Sequence, residues 1–311
     1  MGALLTEAFL TSLVFGMVMA GAPLLLAGLG EQLSEKAGVL NIGLEGMMLF
    51  GAYTGFFAAF HTGSVWAGFL AGGMGGFAVA AFMAVLCVRM GLNQIVIGIA
   101  LTLGAQGLTA LLHHFQFSRT YPRIGVTERF ALPGLSEVPI LGPGLFNHHP
   151  IVYISVILVP ALAFVYRRTN LGLHLQAAGD KPAALDAAGV DVIGVRAAAV
   201  LTTGALAGVG GAFLANIGAG LFIPFMTNGN GFIAIVLAML ARGRPSWVLL
   251  GALLFGACLS LTTALQVGGV NVPTDVIQML PFAAVMIVLV IFGRRASLPA
   301  ALGQAYERGA R

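Results

Sequence analysis

The sequence predicts an all-α integral membrane protein with eight or nine transmembrane helices, at least one of them broken. Hydrophobic residues make up 59% of the chain and charged residues only 8%, against roughly 25% charged residues in an ordinary globular protein. Apolar runs of about 20 residues, the length that crosses a hydrocarbon core of about 30 Å, follow one another along the chain. Glycines recur within these runs at spacings typical of closely packed membrane helices. So few charges exclude a soluble globular protein.

The apolar runs predict nine crossings in a single domain that covers residues 1–311. Eight runs are continuous, at 8–29, 43–60, 65–88, 94–112, 150–166, 197–217, 246–267 and 276–292. The ninth joins "LFIPFM" (221–226) to the apolar run at 232–241 across "TNGNG" (227–231). We interpret these pieces as one crossing with a break in it.

The distribution of Lys and Arg predicts the orientation, because these residues concentrate in cytoplasmic loops. With the loop at 167–196 placed in the cytoplasm, twelve of the 15 basic residues fall inside and three fall outside. Inside are Lys36, Arg89, Arg167, Arg168, Lys181, Arg196, Arg242, Arg244, Arg294, Arg295, Arg308 and Arg311, and outside are Arg119, Arg123 and Arg129. The N-terminus is therefore predicted outside and the C-terminus inside. This assignment requires the broken crossing.

Glu7 and the lack of a basic residue before the first apolar run do not fit a cleaved signal peptide.

The 44 glycines are more than loops need. "GFLAGGMGGFAVAAF" (68–82) and "GALAGVGGAFLA" (204–215) repeat small residues every three or four positions. Such stripes let helix backbones approach closely. They predict tight static packing, or helices that rock against each other during transport, and the two interpretations are compatible.

Asn41 and Glu45 stand at the start of the apolar run at 43–60, within "NIGLEG". One interpretation is structural: Asn41 caps a helix that starts at Ile42, and Glu45 lies in its first turn, where a negative charge suits the helix dipole. The other is that both residues border a solute path, because polar groups at membrane depth usually face a cavity or a partner.

Two further interruptions favour the path. "GLNQIV" (91–96) and "TNGNGF" (227–232) place Asn93, Gln94, Asn228 and Asn230 beside apolar runs. Their amides would hydrogen-bond a polar, uncharged solute.

The sequence lacks three common nucleotide-binding and catalytic motifs. It contains no phosphate-binding loop of the G-x-x-x-x-G-K-[ST] type, no H-E-x-x-H and no G-x-S-x-G. The pairs His113-His114 and His148-His149 flank the predicted outer loop at 113–149, either as interfacial residues or, alternatively, as a bridged metal site. Cys87 and Cys258 lie in apolar runs and are interpreted as packed thiols. Few ionisable groups are expected inside the spans, which argues against a proton-driven carrier.

Three segments resemble a known family. "LSEKAGVLNIGLEGMMLFGAY" (33–53) is similar to the signature of membrane permease subunits of ABC importers, in the branch shared by branched-chain amino acid, ribose-type sugar and nucleoside systems. "AAGDKPAALDAAGVDV" (177–192) resembles the cytoplasmic loop of that family, and "GFIAIVLAMLARGRPSWVLLGALLFG" (231–256) its late segment. The resemblance runs from about residue 15 to 295. The N-I-G-L-E-G form on a short permease points to the nucleoside or simple-sugar subgroup.

The resemblance implies roles for two sets of residues. Asn41, Gly43, Glu45 and Gly46 correspond to the core motif near the translocation interface. The segment that docks on a separate ATPase corresponds to Gly179, Asp180, Lys181, Pro182, Ala183, Ala184, Ala188 and Gly189. Two residues depart from the pattern: Lys181 replaces the usual Asn, and "NGNG" replaces a Gly-x-Gly with a large middle residue.

The resemblance also implies the partners. These are ABC ATPase subunits, which bind the ATP and Mg²⁺, a second permease that is often a longer paralogue, and an extracytoplasmic solute-binding lipoprotein. The chain itself would need no cofactor, would contact membrane lipid and would bind no nucleic acid. A bacterial-type plasma membrane location follows. The alternative function is a self-contained secondary transporter of a small polar solute. An intramembrane enzyme is disfavoured because the sequence shows no nucleophile–base pair at a usable spacing.

Overall fold

The computed structural model describes residues 7–125, 127–267 and 298–307, together with Met279, Ala283, Ala284, Met286, Ile287 and Val290. Within these residues the regular structure is helical apart from one pair of two-residue strands, so the all-α prediction is confirmed. The elements are α1 (Glu7–Lys36), α2 (Leu44–Thr62), α3 (Val65–Met83), α4 (Gln94–Phe117), β1 (Phe130–Ala131), α5 (Leu141–Leu145), β2 (Asn147–His148), α6 (Pro150–Arg168), α7 (Asn170–Asp180), α8 (Pro182–Ala187), α9 (Val192–Phe213), α10 (Asn230–Ala241) and α11 (Pro245–Val267). Two π-helical turns extend α3 and α9, at Ala84–Arg89 and Leu214–Ala219.

Five helices in the described part of the chain are long and apolar enough to cross a membrane. They are Glu7–Lys36, Val65–Arg89, Gln94–Phe117, Pro150–Arg168 and Val192–Ala219, and two shorter apolar helices follow at Asn230–Ala241 and Pro245–Leu261. Each corresponds to a predicted run. The run at 276–292 lies largely outside the described residues. Asp275, which the sequence suggests as the cap of a helix there, lies outside them entirely.

Helix α2 coincides with the run at 43–60 but is not among the five, since it carries Glu45, Tyr53 and His61 among its apolar residues. It packs against α3, α4, α9 and α10. Because its neighbours surround it, most of α2 is buried in protein. A helix that is enclosed by other helices can carry polar residues that would be costly against lipid.

The broken crossing differs from its prediction in one half. Residues 221–229 contain no helix, and only α10 is regular. Gly220 and Gly229 bound this irregular segment with left-handed φ values of 67° and 85°. Phe222 and Thr227 are fully buried, which agrees with the rule that irregular backbone at membrane depth must be enclosed by protein.

Helices α2, α3 and α9 pack through glycine, as the stripes predict. A Cβ on Gly208 would overlap the carbonyl oxygen of Gly72, and a Cβ on Gly211 would overlap that of Met48. The three backbones therefore lie in direct contact.

The two predicted loops carry short elements of their own. In the loop at 113–149, α4 continues to Phe117, and β1 then pairs antiparallel with β2, so that Phe130 lies opposite His148. In the loop at 167–196, Pro182 opens α8 as its first residue, as predicted.

Candidate functional site

The Glu45 carboxylate joins α2 to the start of α10. Its Oε1 accepts hydrogen bonds from the Thr227 hydroxyl at 2.6 Å and from the Gly229 amide at 2.9 Å. Its Oε2 accepts one from the Gly231 amide at 2.6 Å. Glu45 is only 2% exposed. We call these four residues the Glu45 clamp.

The clamp explains how α10 begins without a capping side chain of its own. The N-cap is Gly229, which has no side chain to accept a hydrogen bond. The first amides of a helix lack intrahelical partners and attract negative charge. Glu45 meets this need from another helix. Position 231 has room only for glycine, because a Cβ there would lie 2.5 Å from the Glu45 Cα.

The two glycines around Glu45 face α4. A Cβ on Gly46 would lie 2.9 Å from the Thr102 Cα, and a Cβ on Gly98 would lie 2.8 Å from the Gly43 amide nitrogen. Residues three apart on a helix share a face, so Gly43 and Gly46 admit α4 while Glu45 points to α10. The glycine–glutamate–glycine pattern thus positions two neighbouring helices.

Asn41 does not cap α2, contrary to the structural interpretation from the sequence. The helix begins at Leu44 rather than Ile42, and its N-cap is Gly43, which makes no side-chain hydrogen bond. The backbone amide of Asn41 donates a hydrogen bond to Glu31 Oε1 at 3.3 Å, and the side-chain Nδ2 of Asn41 contacts Met47 Sδ at 3.4 Å. Its Oδ1 is buried without a hydrogen-bond partner in the described part of the chain.

The other predicted path residues divide into two groups. Gln94 is buried and accepts a hydrogen bond from the Leu40 amide at 2.7 Å, next to Asn41. Asn230 opens α10 beside the clamp and is half-buried. Asn93 is exposed and caps α4 by accepting from two amides, and Asn228 is exposed with a φ of 42°. The structure brings Asn41, Glu45, Gln94 and Asn230 to the start of α2 and α10, and leaves Asn93 and Asn228 at the surface.

Glu31, Gln32 and Glu35 are buried polar residues that the sequence analysis missed. All three are at most 4% exposed, and Glu31 Oε2, Glu35 Oε2 and both polar atoms of Gln32 lack hydrogen-bond partners in the described residues. The expectation of few buried ionisable groups was therefore wrong. The predicted run ended at residue 29, whereas α1 continues to Lys36 among α7, α9, α10 and α11. The one-turn spacing of Glu31 and Glu35 was a visible signal of a shared helix face.

The predicted docking segment lies at the C-terminal end of α1. Asp180, Lys181, Ala183, Ala184, Ala188 and Gly189 are exposed, Pro182 is half-buried and Gly179 is buried. A Cβ on Gly179 would overlap the Lys36 carbonyl oxygen and lie 3.1 Å from the Gly38 amide nitrogen. The first residue of the segment 179–189 therefore contacts the end of α1 and the start of the linker 37–43, which leads to Glu45.

The C-terminal residues 298–307 strengthen this contact. The Ala301 amide donates to the Gly179 carbonyl at 2.8 Å, and the Gly303 amide to the Gly38 carbonyl at 3.0 Å. Arg196, assigned from the sequence to a cytoplasmic loop, is only 2% exposed in α9 and donates to the carbonyls of Ala178 and Gln304. Arg196 therefore connects the end of α7 to the C-terminal residues from a buried position.

Aromatic neighbours surround the predicted histidines. His113 stacks on Tyr121 with ring centroids 5.2 Å apart, and His148 stacks on Phe15 at 4.6 Å. His149 caps α6 and lies near the Trp66 ring at 5.3 Å. In the described residues no cluster of three or more His, Cys, Asp or Glu side chains is arranged to hold a metal ion.

One protein family matches most of the chain. The family described as branched-chain amino acid transport system, permease component, matches residues 13–290.

Individual relatives match over nearly their full length. The chain is 40% identical over 284 residues to TsgC13 of Haloferax volcanii, whose naming as a glucose ABC transporter permease is provisional, with 89% of this chain and 84% of that protein covered. It is 32% identical over 306 residues to the nucleoside ABC transporter permease NupC of Lactococcus lactis, covering 94% and 96% of the two chains. It is 30% identical over 320 residues to the guanosine ABC transporter permease NupQ of Bacillus subtilis, covering 97% and 98%.

Proposed function

The chain belongs to the permease family of branched-chain amino acid transport systems, and from this membership we propose that it carries a nucleoside or a simple sugar into the cytoplasm. It is a multi-pass ABC transporter permease and, as a permease component, is not itself catalytic. The proposal concerns the solute, the direction and the partners.

The relatives support the solute class. Their names refer to glucose, nucleosides and guanosine, all of which carry a hydroxylated ring. We propose that Asn41, Glu45, Gln94 and Asn230 border the path near the clamp, and that Asn93 and Asn228 border its openings. Uncharged amides suit such a solute because they both donate and accept hydrogen bonds.

The partners would assemble on two sides. Docking of ABC ATPase subunits on the segment 179–189 is supported by the exposure of six of its predicted docking residues. Those subunits would bind ATP and Mg²⁺. A second, longer permease would complete the membrane domain as a heterodimer, and an extracytoplasmic binding lipoprotein would deliver the solute. The orientation proposed is N-terminus outside and C-terminus in the cytoplasm of a bacterial-type plasma membrane.

The observation that carries the mechanism is the shared linker. Gly179 of the docking segment contacts Lys36 and Gly38 at one end of the linker 37–43, and Glu45 lies just beyond its other end. A displacement of the docking segment by the ATPase would reach the Glu45 clamp through these few residues. The clamp in turn holds the irregular segment 221–229, which has no internal helix to resist movement. Alternating access would follow from this connection.

Reconstitution tests the proposal. The chain with its ATPase, partner permease and binding protein is expected to accumulate guanosine or D-glucose in proteoliposomes only with ATP, and an ionophore should leave uptake unchanged. The alternative, a secondary transporter, is favoured by the buried carboxyls of Glu31 and Glu35. Uptake by the single chain without ATP, abolished by the ionophore, would establish that alternative.

A further inference from the structure

Lys36, the last residue of α1, lies among parts of the chain that are distant in sequence. It is half-buried. Its main-chain carbonyl borders Gly179, the first residue of the proposed docking segment 179–189, so closely that a Cβ on Gly179 would overlap the carbonyl oxygen. Its side chain contacts α6 and the turn 242–244, which joins α10 to α11. One residue therefore lies against the docking segment, α6 and the end of α10.

An aromatic ring holds the ammonium group of Lys36. The Nζ atom lies 4.8 Å from the centroid of the Tyr166 ring, in the last turn of α6. A cation within about 6 Å of an aromatic face is attracted by the charge distribution of the ring. The ring itself packs against a buried cluster that includes Leu33 and Ala37. The position of the Lys36 charge is thus set by a ring that is fixed in the helix packing.

The far end of the Lys36 side chain also lies against the main chain just after α10. A Cβ on Gly243 would lie 2.8 Å from Lys36 Cε and 3.1 Å from Nζ. Gly243 has a φ of 66°, and Arg242, the C-cap of α10, has a φ of 50°. A cation near the C-terminal end of a helix is favoured by the helix dipole. Glycine at position 243 therefore admits Lys36 to the end of α10.

The docking segment acts on Lys36 in two ways. Gly179 contacts its main chain. The carboxylate of Asp180, the next residue, and that of Glu35 are near enough to interact electrostatically with the Lys36 charge. Any displacement of Gly179 and Asp180 would therefore change both the packing and the electrostatic environment of Lys36.

Helix α10 is consequently held at both of its ends. The Glu45 clamp holds its start, and Lys36 contacts the turn that follows it. The docking segment reaches the clamp through the linker 37–43, whereas it touches Lys36 directly. Rigid helices can carry energetic coupling between distant sites, so α10 offers a second connection between the docking segment and the clamp.

We propose that Lys36 is a positioning residue for transport, which transmits movement of the docking segment to the C-terminal end of α10. The inference rests on the proposed function for the docking of an ATPase on residues 179–189. Lys36 acts through Gly243 and Tyr166, and it contacts neither the solute nor the nucleotide.

A fluorophore beside the clamp tests this inference without any solute. It is attached to Asn228→Cys, an exposed position of the irregular segment, in a background lacking Cys87 and Cys258. The complex of both permeases with the ATPase is held in lipid nanodiscs and trapped with ATP and vanadate. We expect a change in emission with Lys36 in place, and a change at least fivefold smaller for Lys36→Met, which keeps the length of the side chain but removes its charge. Lys36→Arg should restore at least half of the response.

Arg244→Met is the matched control for Lys36→Met. Arg244 is an exposed cation of the same turn, and its replacement should leave the response unchanged. The ATPase should co-purify equally with both variants, because Lys36 acts after docking.

Tyr166 supplies a second pair of variants, which decides the matter if Lys36→Met fails to fold. Tyr166→Leu removes the ring and should reduce the response several-fold. Tyr166→Phe keeps the ring and should respond like the unaltered protein.

The outcomes separate this inference from the proposed function. Equal responses of Lys36→Met and Arg244→Met would overturn the inference, as would equal responses of the two Tyr166 variants. Loss of the ATPase from Lys36→Met, or a lack of response with Lys36 in place, would also overturn it. A complex that responds in the expected pattern but accumulates neither guanosine nor D-glucose in proteoliposomes would keep the role of Lys36 and remove the proposed solutes. ATP-driven uptake together with a full response of Lys36→Met would do the reverse.

Discussion

Glu45 is the residue on which the geometry near the start of α2 depends. A buried carboxylate requires hydrogen bonds to compensate for lost hydration, and the clamp provides three. All three donors belong to residues 227–231, where the chain passes from irregular backbone into α10. One side chain therefore fixes the start of a helix that is distant in sequence.

Glu45→Gln is expected to lower both stability and transport. The substitution replaces one carboxylate oxygen by an NH₂ group, which cannot accept, and leaves the other oxygen uncharged. The donors of the clamp therefore lose charge-assisted hydrogen bonds, each worth about 1.5–3 kcal/mol. The midpoint of thermal unfolding should fall, and ATP-driven uptake should drop at least tenfold, while the ATPase still co-purifies.

Thr227→Val is the matched control for Glu45→Gln. It removes one donor and leaves two for the carboxylate, so its effects should be smaller. If Glu45→Gln unfolded and transported like the unaltered protein, Glu45 would be no more than a first-turn acid of α2.

Asn41→Ala is expected to separate stability from transport. Its side chain makes one weak contact, to Met47 Sδ, and buries an unpaired Oδ1. Removing that unpaired oxygen should leave the thermal midpoint nearly unchanged, whereas loss of a solute contact should slow uptake several-fold. Normal uptake by this variant would exclude Asn41 from the path.

At the scale of helices, glycine decides how closely α2, α3 and α9 pack. Apolar side chains gain little from leaving lipid for a helix interface, so membrane helices rely on close backbone approach. The contacts of Gly208 with Gly72 and of Gly211 with Met48 leave no room for a methyl group. The π-helical turns that end α3 and α9 interrupt the regular hydrogen-bond pattern next to this interface.

Gly211→Ala is expected to destabilise the permease by about 1–3 kcal/mol, the usual cost of overpacking. Gly107→Ala is the matched control, because a Cβ on Gly107 of α4 meets no atom within 4 Å and alanine favours helix over glycine by about 0.5–1 kcal/mol. Thermal unfolding of the two purified variants should therefore shift in opposite directions. A similar loss for both would mean that close backbone contact does not hold the three helices together.

On the scale of the whole molecule, the proposed docking segment 179–189, the linker 37–43 and the C-terminal residues 298–307 form one junction. Gly179 accepts a hydrogen bond from Ala301, Gly38 accepts one from Gly303, and Arg196 spans α7 and Gln304. The C-terminal residues thus connect the docking segment to the linker through the main chain. A force applied to residues 180–189 would act on the whole junction.

Gly189→Glu is expected to weaken ATPase association, because it adds a buried charge to the proposed interface. Gly189 has a φ of 82°, which strains any residue that has a Cβ, but a Cβ there meets no atom within 4 Å, so the added side chain has room at the surface. Gly189→Asn is the control, since Asn tolerates this left-handed conformation and brings no charge. Co-purification of the ATPase should fall at least tenfold for Glu and much less for Asn. Equal recovery with both variants would move the docking surface elsewhere.

Cysteine labelling checks the orientation. Lys181 and Arg119 are both exposed, and the distribution of basic residues predicts that they lie on opposite sides of the membrane. In a background lacking Cys87 and Cys258, a membrane-impermeant maleimide should modify Lys181→Cys only after the cytoplasmic face is opened, and Arg119→Cys in intact cells. The reverse labelling pattern would mean that the orientation in the membrane is opposite to the predicted one.

Features that depend on neighbouring residues could be read from the amino-acid sequence. Composition and apolar runs placed most helices to within about five residues, although α1 continues seven residues past its predicted end and residues 221–226 are not helical. Pro182 marked the start of α8, and the glycine stripes located the closely packed helices. Motifs in three segments were enough to indicate the family. Each of these signals lies within about 20 consecutive residues, where hydropathy and turn chemistry act.

Contacts between residues that are distant in sequence became visible in the folded chain alone. Glu45 and Thr227 are 182 positions apart, and no local pattern shows that a carboxylate in one helix caps another. Glu31 and Glu35 looked like residues of a loop until α7, α9, α10 and α11 enclosed them, and Arg196 looked like a solvated cation until its donors met two carbonyls. Burial and pairing of polar groups depend on how helices pack against one another, and that packing is a property of the assembled chain.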